Sequence, residues 1–266
     1  MTKKNPAYAW WGDYPIAAGA AQRWRIGNLE LGIEHQPAEW VIRYRYLETE
    51  PGDETTWETD TKPIEDDPEF KTQRHILDGD SEEIQLRPAL ADRPVVSRPR
   101  NTLIVHPDKE AVIYIGSPIW LQVHAAGQRL LELPIQRPSD TWFGANTRSG
   151  ELCYATRTSA RQILADLPPR PHRAITRLTV ENRSHDALTL EKISLPVPVL
   201  SVYADPEGHL WTPALTLTRR HDEKDVAINI DTTPSAGDGV EVQLLTEPRN
   251  ANIRGALVSA VEALFG

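Results

Sequence analysis

The stretch whose reading decides the fold runs from Arg173 to Leu217, RAITRLTVENRSHDALTLEKISLPVPVLSVYADPEGHLWTPALTL. Ile175, Leu178 and Val180 lead into the turn-forming Asn182, Arg183, Ser184, His185 and Asp186, and Leu188, Leu190 and Ile193 then resume an apolar pattern. A strand turns successive side chains to opposite faces, so alternation broken by an Asn/Ser/Asp cluster predicts a half-buried β-hairpin. A second hairpin follows. Val199, Ser201 and Tyr203 alternate with Leu200, Val202 and Ala204; Asp205-Pro206-Glu207-Gly208 turns the chain; and Leu210, Trp211, Leu215 and Leu217 run back. Proline's fixed φ suits the first central turn position, and glycine supplies the positive φ that closes such a turn. Pro196 and Pro198 lack N–H donors, which makes residues 195–199 a crossover or edge segment. Hairpin, proline-marked crossover, hairpin predicts an all-β protein of the sandwich kind.

Working outward, 266 residues accommodate two packed β-sandwich-like halves of antiparallel strands. The expected organisation is an N-terminal β-rich half over 1–136 with an acidic loop at 48–74, a connecting aromatic and arginine-rich segment over 137–172, and a C-terminal half over 173–266. In the first half Trp24 and Ile26 are separated from Leu29, Leu31 and Ile33 by Gly27-Asn28, which reads as a bent strand or a tight hairpin. Glu39 to Leu47 is the clearest strand, with Trp40, Ile42, Tyr44 and Tyr46 on a core face. Arg43 and Arg45 lie on its other face, either solvated or forming an anion site. Residues 48–74 read as a long exposed loop that only Trp57, Ile64 and Phe70 could anchor, and its carboxylates lack the spacing of a calcium-binding loop. Ala111–Ile115, Ile119–His124 and Arg129–Ile135 predict a three-strand meander. At the end, Ile253, Leu257, Val261 and Leu264 recur at helical spacing, so a short C-terminal amphipathic helix is expected. It packs on its own sandwich or forms a homo-oligomer contact. The N-terminal aromatics Tyr8, Trp10, Trp11 and Tyr14 dock on their own domain, on a neighbouring subunit or around a ligand.

Composition bounds the function. With 38 acidic against 29 basic side chains and a net charge of −9, the protein repels nucleic acid on average. No apolar run approaches the ~20 residues of a spanning helix, and the basic start MTKKNPAYAWW lacks the apolar segment of a signal peptide. Direct membrane insertion is therefore not expected, and cytoplasmic residence is. The lone Cys153 agrees with a reducing compartment. The eight histidines are isolated from one another, and no phosphate-binding glycine loop, nucleophile elbow or zinc-helix motif is present. No catalytic residue, metal site or cofactor is assigned.

The richest side-chain chemistry lies in RPSDTWFGANTRSGELCYATRTSAR, residues 137–161. Trp142, Phe143 and Tyr154 offer aromatic faces, and Asn146, Arg148 and Arg157 offer hydrogen-bond donors, a combination suited to stacking and orienting a ligand or partner. The alternative is a linker whose aromatics seal the seam between the halves. Three function classes stay open: a non-enzymatic binding or regulatory module contacting an unidentified protein or small ligand, a carbohydrate-binding or carbohydrate-active jelly roll, and a structural homo-oligomer. In the second, Trp142 or Trp57 would stack on sugar rings and Asp140 with Glu151 would form the carboxylate pair.

Three segments, WFGANTRSGELCYATRTSA, ENRSHDALTLEKISLPVPVLSVY and WGDYPIAAGAAQRWRIGNLEL, give the chain a resemblance to an uncharacterised prokaryotic family, domain of unknown function 432, over nearly its whole length. The resemblance implies a soluble β-rich protein with no established activity and no catalytic residue to carry over. Association of some members of such families with mechanosensitive channels implies a membrane-protein partner.

Overall fold

A computed structural model describes residues 8–48, 56–65, 67–77, 81–144, 150–156, 160–220, 226–234, 236 and 239–250. The expected C-terminal helix and the candidate residues Asn146, Arg148 and Arg157 lie outside the described residues. The first strands are β1 (Gly12–Pro15), β2 (Ala21–Ile26), β3 (Leu29–Gln36), β4 (Glu39–Tyr46), β5 (Trp57–Asp60), β6 (Lys71–His75), β7 (Glu83–Ala89), β8 (Val95–Ser97), β9 (Leu103–Val105), β10 (Lys109–Pro118) and β11 (Trp120–Ala125). Then come β12 (Gln128–Pro134), β13 (Ser139–Phe143), β14 (Glu151–Ala155), β15 (Arg173–Asn182), β16 (Leu188–Leu190), β17 (Ile193–Leu195), β18 (Val202–Ala204), β19 (Leu210–Trp211), β20 (Pro213–Arg219), β21 (Val226–Pro234) and β22 (Gln243–Thr246). The chain is all-β, and no helix among the described residues is long and apolar enough to cross a membrane.

The first sheet is antiparallel, in the order β5-β2-β3-β4-β6. Gly27, at φ +56°, makes the tight β2–β3 turn, a conformation that only glycine adopts readily. Alternation then does as expected: Trp24, Ile26, Leu31, Ile33, Trp40 and Ile42 are buried in the core. The reading of residues 48–74 as one long loop is corrected. Trp57–Asp60 and Lys71–His75 are the two edge strands of this sheet. Their sequences, WETD and KTQRH, carry charge where a central strand carries apolar residues, which hides them from a pattern search and guards an exposed edge against foreign pairing. Ile64 and Phe70 do anchor the segment between them. Ile64 packs where Gly32 has no side chain, so a Cβ at Gly32 would collide with it.

The expected meander is also corrected. β10 runs on through Gly116-Ser117-Pro118 and pairs along its length with β15, from Lys109↔Asn182 to Pro118↔Arg173. Ile119 then turns the chain into a second sheet, β1-β7-β11-β12, its N–H donating to the His172 carbonyl at 3.0 Å and its carbonyl accepting from Ile135 at 3.0 Å. Periodicity gives the strands but not their partners, because pairing is a non-local choice.

β15 is the axis of a seven-stranded sheet ordered β21-β20-β15-β19-β18-β22, with β10 also on β15. Its pairings with β19 and β20 are parallel, as is that of β8 with β14, so the sheets are not purely antiparallel. The first expected hairpin therefore does not close on itself: β16 pairs with β9 and β17 with β8. The polar cluster between β15 and β16 is nonetheless a built turn. The Asn182 amide donates to the Val105 and Asp186 carbonyls at 2.8 Å each, and its oxygen accepts the Ser184 N–H at 3.1 Å. The second hairpin forms only next to its turn, β18 against β19 with Gly208 at φ +87°, while Leu215 and Leu217 continue on β20, which pairs with β15 and β21. The proline crossover is a short 3-10 turn at Val197–Val199. The β10–β15 pairing joins residues before 136 to residues after 173, and one buried apolar cluster extends from Trp10 to Leu217. Trp10 is fully buried, with its indole N–H on the Pro171 carbonyl at 2.6 Å, so this N-terminal aromatic docks on its own fold.

Candidate functional site

The strand register divides the aromatic segment between two faces. Asp140 faces Tyr154, Trp142 faces Leu152 and Phe143 faces Glu151 across β13–β14. With a period of two, Asp140, Trp142, Leu152 and Tyr154 share one side, and Phe143, Glu151 and Cys153 the other. Phe143 is buried with Val96 and Cys153. Tyr154 donates to Asp92 at 3.1 Å, leans on Trp120 and lies under Arg93. Trp142 is 38% exposed beside Leu152 at 40%. Its indole rests against Gly150, where any side chain would overlap it. Asp140 pairs with Arg93 at 3.5 Å, while burial pushes the Glu151 carboxyl up. Lying on opposite faces, Asp140 and Glu151 do not flank a common substrate bond. Burial pushes the Cys153 thiol up to about 11, which leaves it an unreactive core group.

Arg43 and Arg45 are both engaged by carboxylates. Arg43 donates to Glu34 at 3.1 Å. Arg45 binds Glu30 at 2.7 Å, Asp67 at 3.0 Å and Glu69 at 3.2 Å, with its guanidinium over Phe70.

A different constellation forms at the β18–β19 hairpin, where Asp205-Pro206-Glu207-Gly208-His209-Leu210-Trp211 folds around one carboxylate. One Asp205 oxygen, Oδ1, accepts the backbone N–H groups of Glu207 and His209, each at 2.9 Å, the short-range bonding that makes aspartate a turn former. The other, Oδ2, accepts the Trp211 indole N–H and the His209 Nδ1, each at 3.0 Å. Burial alone would raise the Asp205 pKa, but the bonds from Trp211 and His209 outweigh it and hold the carboxyl below its usual range. An ionised carboxylate only accepts, so Nδ1 carries a proton, and in the neutral imidazole Nε2 is then the acceptor. Nε2 has no partner among the described residues, and the Tyr8 ring sits 4.6 Å from the imidazole.

This imidazole borders a cleft of about 490 Å³. Leu164, Leu167, Ile175, Trp211 and Val240 give it apolar walls, and Asp205, Glu207 and His209 its polar side. The parallel pairing of Ile175 with Trp211 sets the floor, and a 3-10 turn at Leu164–Asp166 brings up the opposite wall. A second cleft of about 400 Å³ borders the same turn, lined by Trp11, Pro206, Glu241 and Gln243. An apolar cleft with a few fixed polar groups is the usual form of a small-molecule site. Among the described residues no group of three His, Cys, Asp or Glu is placed to hold a metal ion. Sequence reading treated Asp205 as a turn residue and His209 as an isolated histidine. The available signal was their spacing of four across a Pro-Gly turn, with Trp211 two residues further on.

The model of a family described as "Protein of unknown function (DUF432)" matches residues 10–263, and the chain belongs to that family. No curated protein and no solved structure matches it.

Proposed function

We propose that this DUF432 member is a cytoplasmic, non-enzymatic binding module that takes a small apolar ligand in the cleft beside His209. The observation that carries the reading is an imidazole fixed through Nδ1 by Asp205, with its other nitrogen unpartnered among the described residues, at the edge of an apolar cleft of about 490 Å³. A turn needs only the backbone bonds to Asp205; fixing the imidazole as well prepares a polar contact in advance, which lowers the ordering cost of binding. A buried, unpaired Cys153 fits a reducing compartment. Thermal-shift screening of small apolar compounds against the full chain tests this. Hits are expected to raise the melting temperature of the native protein and to lose that effect in Ala236→Trp, which fills the cleft from its half-buried wall. Hits that stabilise both proteins equally count against the site.

A second reading, contact with a protein partner, is favoured by the exposed cross-strand pair Trp142 and Leu152. A membrane channel is the partner class that the family resemblance suggested. Trp142→Ala with Leu152→Ala is expected to lower recovery of one defined partner from detergent-solubilised cells while the melting temperature is kept. Unchanged recovery removes this reading.

A further inference from the structure

Resting on the cleft reading above, we infer that the ligand is an organic cation, an apolar body carrying an ammonium group. The argument begins with hydrogen-bond capacity. Asp205 already accepts four bonds. The side-chain acceptors left among the described residues at the cleft are the Glu207 carboxylate and, in the neutral imidazole, His209 Nε2. Glu207 is 79% exposed in its side chain, with an oxygen 3.7 Å from His209 Nδ1. Both call for a donor, and one of them for a positive charge.

The wall composition points the same way. Among the described residues no lysine or arginine borders the cleft, nor the second cleft at the same turn, where Glu241 supplies another carboxylate. An anion would meet acceptors and carboxylates in both clefts. A neutral alcohol could use Nε2 but would leave the carboxylate unmatched. Aromatic faces add to the selectivity, since ring quadrupoles attract cations: Trp211 lines the first cleft, Trp11 the second, and Tyr8 covers the histidine. The apolar walls of Leu164, Leu167 and Ile175 then take the uncharged part of the ligand, which a metal ion or a small inorganic cation lacks.

Three probes of one shape separate this inference from the site on which it rests: phenethylammonium, phenethyl alcohol and 3-phenylpropionate, titrated by calorimetry into the full chain. The ammonium is expected to bind about tenfold tighter than the alcohol, and the carboxylate weakest of the three. Glu207→Gln should remove most of the ammonium preference and leave alcohol binding unchanged. Ala236→Trp should abolish binding of all three. Equal affinities for ammonium and alcohol overturn the cation inference while the cleft reading survives. Ammonium binding that neither substitution alters overturns it as well, since the compound then sits elsewhere. Absence of binding by all three at millimolar concentration overturns both readings. Glu207 is mostly solvent-exposed, so Glu207→Gln keeps the test open if Ala236→Trp does not fold.

Discussion

His172 and His209 enter the same pair of parallel strands, two residues before Ala174 and one before Leu210, which face each other in the register. Their surroundings could hardly differ more. His172 is 1% exposed, and neither of its ring nitrogens has a hydrogen-bond partner among the described residues. Burial, reinforced by the charges of Arg173 and Arg170, pushes its pKa down to about 3. His209 has one nitrogen fixed by a carboxylate and the other, without a partner among the described residues, beside a cleft. An imidazole becomes a recognition group through what is left over after folding: one nitrogen spoken for, one available, and space in front of it.

The strongest way to break this contrast is acid. An unfolded histidine takes up a proton near pH 6.5, whereas folded His172 stays neutral down to about 3. Its contribution to stability is therefore intact above pH 6.5 and is lost as pH falls through that window, by about 1.4 kcal/mol per pH unit. Urea midpoints measured from neutral pH downward should show this loss, and His172→Leu should flatten it. An acid limb unchanged in His172→Leu would falsify the assignment of that histidine.

The same contrast extends to carboxylates. Glu30, 7% exposed and bound by Arg23 and Arg45, belongs to the fold. Glu30→Ala should destabilise by about 2 kcal/mol, less than a fully buried pair because both arginines reach solvent. Chemical denaturation checks it, and a change too small to measure would mean that the network is ornamental. Asp205→Asn comes next, at about 1.5 kcal/mol for the loss of charge-assisted bonds. Its sharper readout is the His209 imidazole, whose nitrogen NMR shifts should move from the single tautomer imposed by Asp205 toward a mixture. Retention of that tautomer would separate His209 from Asp205. Smallest of all, Glu207→Gln should change stability by less than about 0.5 kcal/mol, as suits a carboxylate placed for a ligand. A large loss there would assign Glu207 to the fold.

Much of the fold was legible because it rests on local rules. The turn at Asp205–Gly208, the crossover at Pro196 and Pro198 and the buried faces of β2, β3 and β4 follow from proline, glycine and period-two alternation. Partner choice was not legible. That β10 joins β15, and that β16 leaves β15 for β9, depends on contacts across 55 to 87 positions of chain that no local pattern encodes. β5 and β6 escaped notice because an edge strand obeys different composition rules from a central one. At the candidate site, residue type misled in one place and said too little in another. The aromatic stretch around Trp142 looked richest, yet alternation sends Phe143 inward and Trp142 outward. Asp205 and His209 drew no attention, because their meaning lies in the direction of one ring and the saturation of one carboxylate.

The far end of β22 reaches back to the first half of the molecule. Thr246 donates to the Pro88 carbonyl across 158 positions and Arg249 to the Leu90 carbonyl across 159, while the Arg249 guanidinium also grips Glu132. On the ribosome, residues 88–90 therefore emerge long before the groups that complete their hydrogen bonding. Contacts of such span make a chain slow to fold and leave strand edges open in the meantime. Residues 246 and 249 must be translated before the fold can close, and a nascent chain halted before residue 246 carries the unfinished edge that chaperones are built to hold.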